Sequence, residues 1–226
     1  MKKRVKQQNN RAEHAAILII LIAGLFLWNT PVIYPIKLFV VMLHELSHAI
    51  MGIVTGGKIT AMSVGLDLSG KCQIQGGNQI AIASVGYLGS LLWGIVIFIS
   101  PNNLKSGKWI LISFAIMILS ISIYTSYSNL TFVFLSLVTS IIILLFALFL
   151  RINIVSLLVR GIGLISCVYV LFDMKEDLFS RNDVITDVTI LSSLTGIPGI
   201  LISILWLVFS FIMIALVIRF GYLKKR

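Results

Sequence analysis

"VMLHELSHAIMG", residues 41–52, sets two histidines and a glutamate inside a run otherwise suited to lipid. The apolar stretch around it, 32–56, exceeds the roughly 20 residues that a helix needs to cross hydrocarbon. Ionisable groups inside such a span cost about 2.5–3.5 kcal/mol each on insertion scales and are functional sites by default. The chain has only three histidines in 226 residues, and two of them stand here, four apart.

Outward from this stretch the composition is uniform in kind. The chain is 58% hydrophobic and 12% charged, with mean hydropathy +1.05, far more apolar than an ordinary globular domain. Further apolar stretches run over 15–28, 79–100, 109–124, 130–150, 152–172 and 199–220. The expectation is an all-α polytopic membrane protein with about six or seven transmembrane or re-entrant helices. The whole chain, 1–226, reads as a single membrane-embedded domain, with no stretch left for a soluble one.

Lys2, Lys3, Arg4, Lys6 and Arg11 place the N-terminus in the cytoplasm by the positive-inside tendency. This basic leader and the apolar core after it also fit a secretory signal, but "NTPVIYP" after Trp28 offers no small-x-small site, so an uncleaved first span is expected. The other end, "RFGYLKKR", is basic too. Both ends are cytoplasmic only with an even number of crossings, which makes one stretch a half-span or re-entrant segment. The formal net charge of +10 resides largely in these tails, suited to anionic headgroups; no nucleic-acid signature is present. Cys72 and Cys167 are isolated and read as small apolar residues.

Two segments break the helical pattern. In "GGKITAMSVGLDLSGKCQIQGG", residues 56–77, Met62, Val64, Leu66 and Leu68 alternate with Ser63, Gly65, Asp67 and Ser69. That predicts a β-hairpin over 58–75, turning near Ser69 and Gly70, whose unpaired edge near Met62, Val64 and Leu66 can take an extended peptide by strand addition. Residues 173–199 hold five of the eight acidic residues. Within them 182–196 predicts a helix, capped by Asn182 and stopped by Pro198, with Asp183 and Asp187 on one face.

"HELSH" has the form HExxH. In a helix, a spacing of four sets His44 and His48 on one side, where both imidazoles reach one Zn²⁺, with Glu45 beside it as general base. Independent placement would produce the motif in on the order of one shuffled chain in two thousand, so chance is a poor account of it. A catalytic zinc usually has three protein ligands. His14 lies at the mouth of the first span, Asp67 in the hairpin, and Asp173, Glu176 and Asp177 at a span end, where solvated charges are common. Asp183 and Asp187 remain, and position favours Asp187, deeper in the apolar half of its segment. In "ASVGYLGSLLWG", Gly86, Ser90 and Gly94 form a small-residue stripe that predicts close packing against the HExxH helix. Met42 and Met51 read as core.

These residues together resemble the site-2 protease type of intramembrane zinc metallopeptidase, in its compact bacterial branch. "HELSHAIMGIVTGGKI" is similar to that branch's histidine helix and glycine turn, "SVGYLGS" to its small-residue helix, and "TDVTILSSLTGIPGILISILW" to its C-terminal segment. The resemblance implies that His44 and His48 are zinc ligands, Glu45 the catalytic base and Asp187 the third ligand, with Asp183 second choice. It also implies a bacterial cell-membrane protein. Neither aspartate is followed by glycine, unlike the Leu-Asp-Gly context of better-studied members.

The function expected is zinc-dependent hydrolysis of peptide bonds in transmembrane or membrane-associated proteins. One alternative is a non-proteolytic binding or protective protein that keeps the fold. Another is a metal-ion transporter, for which the spans over 109–172 offer mostly serine and threonine.

Overall fold

The computed structural model describes residues 15, 19–100, 106–124, 130–179 and 185–223. Among them are a short helix over 19–26 (α1), α2 (Tyr34–Val54), strands β1 (Lys58–Val64) and β2 (Gly70–Gln75), α3 (Gln79–Ile99), α4 (Ser106–Tyr124), α5 (Leu130–Phe149), α6 (Ile152–Phe179), α7 (Asp187–Thr195) and α8 (Gly199–Leu223). Five helices are long and apolar enough to cross a membrane: α2, α3, α5, α6 over Ile152–Lys175 and α8 over Gly199–Leu216. In α4 the apolar part is shorter, Gly107–Ser120. The protein is therefore a helical membrane protein with one small antiparallel sheet, the architecture that backbone hydrogen bonding in hydrocarbon requires. Residues 1–14, 182, 183 and 224–226, which hold the N-terminal basic tail, Asn182, Asp183 and the last three residues of the C-terminal tail, lie outside the described residues.

α2 is the central element. Proline stands in its first turn, where the missing N–H costs nothing. Leu38 through Leu43, Leu46 and Ala49 are all buried. This helix packs against α3, the hairpin and α6, while α4 pairs with α5 and α3 lies along α6. Thr55 closes α2: its hydroxyl donates to Met51 O at 2.7 Å and accepts from the Asn78 amide at 3.1 Å. Asn78 in turn caps α3 through Ala81 N. The hairpin thus leaves and returns at one pinned point.

The alternation seen in the sequence does form the hairpin, with two differences. Its turn spans 65–69, where Gly65 N donates to Ser69 O at 2.8 Å, two or three residues earlier than expected. Asp67 Oδ1 accepts from both the amide and the hydroxyl of Ser69, and this chemistry, not Gly70, sets the reversal. The second difference is which face is buried. Met62 and Val64 point into the core with Ile59, a bulge between Ile59 and Ala61 bringing all three inward. Their side chains therefore lie in the core and not on the wall of the cleft, and Leu66 stands exposed at the turn. Alternation tells which residues share a face, and burial of the larger apolar set then decides which face is inside.

α7 is shorter than predicted. It begins at Asp187, with Thr186 and Thr189 forming a reciprocal capping box, and ends at Gly196 in the left-handed region (φ 72°). Threonine at the cap replaces the expected Asn182, because its hydroxyl satisfies the free amide of Thr189. Gly196 then turns the chain into α8.

Candidate metal centre

His44 and His48 lie one turn apart in the middle of α2, and α7 delivers Asp187 to both. Asp187 Oδ2 is 3.1 Å from His44 Nε2 and 3.1 Å from His48 Nε2, although 143 residues separate His44 from Asp187. Their ligand atoms all lie within 4.8 Å of one another, and the group can hold a metal ion. Capping places Asp187 at the first position of α7, where its side chain is free of the helix body. It belongs to the short helix and not to a spanning one.

The outer nitrogens of both rings are also engaged. His48 Nδ1 lies 2.7 Å from the carbonyl of Ile82 in the first turns of α3, and that acceptor fixes Nδ1 as the protonated nitrogen. His44 Nδ1 lies 3.4 Å from Asp173 Oδ2 of α6, and its ring meets the Tyr87 ring edge to face at 5.8 Å. Both Nε2 atoms are thereby left as ligands facing Asp187. Two imidazole nitrogens, each on a ring held from outside, and one carboxylate oxygen suit zinc.

Gly86 explains how the three groups fit. A Cβ there would press on Asp187 Oδ2 and lie 2.6 Å from His48 Nε2 and 2.7 Å from His44 Cε1. The expected stripe therefore divides by role: Gly86 makes room for the ligand atoms, Ser90 donates back to Gly86 O at 2.8 Å, and Gly94 packs on Cys167 and Gly163 of α6 and not on the HExxH helix, while Gly89, outside the stripe, accommodates Ser47 of α2.

Glu45 is 5% exposed and turns toward the hairpin, where a Cβ on Gly70 would lie 2.8 Å from its Cδ. A cleft of about 530 Å³ opens over His44, Glu45, His48 and Asp187. Its walls come from β2 (Lys71, Cys72 and Ile74), the turn (Leu68), α6 (Tyr169 and Asp173) and the start of α7. Burial, with lesser contributions from the Glu45 and Asp187 charges, pushes the Cys72 thiol up to about 12. Asp67, held below the usual carboxylate range by Ser69, is exposed at the turn and takes no part. Asp183, the second choice for third ligand, lies outside the described residues.

Asp173 is the residue that the sequence reading passed over. At the end of an apolar run it looked like a solvated charge, yet it faces the first histidine of the motif. Its place one turn after Tyr169, on the same face of α6, does not tell a carboxylate that faces a histidine from one that faces water.

The model of the Peptidase M50B-like family matches residues 17–217, and the chain belongs to that family. It is thus a member of the site-2 protease group of membrane metallopeptidases. No curated protein and no solved structure matches the chain.

Proposed function

We propose that the protein is a zinc-dependent endopeptidase that cuts transmembrane or membrane-associated proteins. The observation that carries this reading is the approach of one Asp187 oxygen to within 3.1 Å of both HExxH histidines, beneath a cleft that also contains Glu45. In this reading His44, His48 and Asp187 hold the ion. Bound zinc supplies a Lewis acid and brings the pKa of water toward neutrality. Glu45 takes the proton of the attacking water at its carboxylate and gives it to the departing amine. The Ile82 carbonyl keeps His48 in the ligating tautomer throughout.

A substrate helix satisfies its own amides, so it must be drawn out before a peptide bond can be reached. Among the described residues the two-stranded sheet leaves one edge of β2 without a partner strand, and Lys71, Cys72 and Ile74 of β2 line the cleft. Strand addition there would hold a peptide extended across the site. This moves the docking edge from the Met62 to Leu66 strand to β2.

Glu45→Gln is the test. The protease reading expects the purified variant to keep its zinc and to lose about 10²-fold or more in cleavage of a membrane-tethered substrate, the usual share of a general base. A binding or protective protein would keep its function in this variant, and cleavage at the wild-type rate would remove Glu45 from the mechanism.

A further inference from the structure

We infer that Asp173 is a positioning residue for the metal centre, holding His44 in the ligating orientation and raising its basicity. The inference rests on the zinc-site reading above. His44 presents Nε2 to Asp187 and Nδ1 to Asp173, at 3.1 and 3.4 Å. With its ring also against Tyr87, it is fixed on three sides. The two histidines are held differently: His48 meets a neutral carbonyl, His44 a carboxylate. A carboxylate on the far nitrogen strengthens imidazole as a metal ligand more than a carbonyl does, because it offsets the positive charge drawn onto the ring. The Asp173 side chain is 26% exposed, so its approach to His44 does not require full burial of a carboxylate. It lies at the end of the apolar part of α6, so the helix brings it to the site without burying it in mid-span.

Three carboxylates therefore surround the centre with separate roles: Asp187 as ligand, Glu45 in the cleft, and Asp173 behind a ligand. Loss of the Asp173 charge weakens ion binding without removing any ligand atom. Asparagine at this position keeps the shape and an acceptor oxygen, which separates charge from packing.

The full chain in detergent, stripped of metal, is titrated with Zn²⁺ against a chromophoric chelator, and Co²⁺-loaded samples supply the visible spectrum. Asp173→Asn is expected to raise the zinc Kd by about 10- to 100-fold, to alter the Co²⁺ spectrum, and to leave the melting temperature of the metal-free protein unchanged. Asp173→Ala is expected to bind zinc at least as weakly. A Kd within about twofold of wild type in both variants overturns the inference, as does an Asp173→Asn protein whose metal-free form melts several degrees lower, since that marks a packing role. His44→Ala separates the two levels: if it loses zinc while Asp173→Asn does not, only the role of Asp173 falls. If His44→Ala binds as wild type does, the metal site itself falls.

Discussion

Glycine at position 86 is the residue on which the site geometry depends most tightly after the ligands themselves. Alanine is favoured over glycine in a helix interior by about 1 kcal/mol, so Gly86→Ala gains slightly in local propensity. Its Cβ, however, would occupy the point where Asp187 Oδ2, His48 Nε2 and His44 Cε1 meet. All three are side-chain atoms, so the clash falls on the ligand set and not on the backbone of a neighbouring helix. The expected outcome is a folded protein with zinc affinity reduced by at least about tenfold, measured by chelator competition beside a melting curve. At this scale the motif was readable because the four-residue spacing is a local helix property. Asp187 rested on position within its segment and on family resemblance, and the structure places it against both rings. Asp173 was not readable, because nothing local distinguishes a carboxylate that faces a distant histidine from one that faces water.

The elements carry the next level. β2 presents the cleft-lining residues of the hairpin, and Cys72 reports on how closed that wall is. With its thiol at about 12, on the order of one molecule in 10⁴ is thiolate at pH 8. A raised value means that the folded state disfavours the reactive form until the pH approaches 12. In the metal-free protein, iodoacetamide labelling of Cys72 at pH 8, read by mass spectrometry of its peptide, is expected to be slow when folded and fast when denatured. Labelling at the rate of a free cysteine in both states would mean an open wall. The hairpin itself was legible from its alternation and glycines. Its buried face was not, since Met62 and Val64 alternate identically whether they face the core or a ligand. The start of α7 was misplaced because Asn182 and Thr186 are both good caps by type, and pairing with Thr189 selects the second.

For the molecule as a whole, the site exists only if four helices hold their spacing: α2 with the motif, α3 with Gly86, α6 with Asp173 and α7 with Asp187. The α3–α6 contact is the tightest of these. A Cβ on Gly163 would lie 2.5 Å from Phe98 N and 2.7 Å from Gly94 O, backbone atoms that cannot turn aside. Gly163→Val is therefore expected to destabilise by about 1–3 kcal/mol, as overpacked cores do, seen as a lower melting temperature in detergent, where Gly86→Ala shows none. The helices were legible as apolar stretches, five of them among the described residues long enough to cross a membrane; their mutual packing was not, because lipid-facing and core-facing surfaces are equally apolar. The central claim concerns what this arrangement holds. Zinc content per chain in wild type and Asp187→Ala, purified side by side and matched by melting curve, tests it most directly. One zinc per wild-type chain and close to none in the variant are expected; a folded Asp187→Ala protein that retains its full zinc would contradict the three-ligand site.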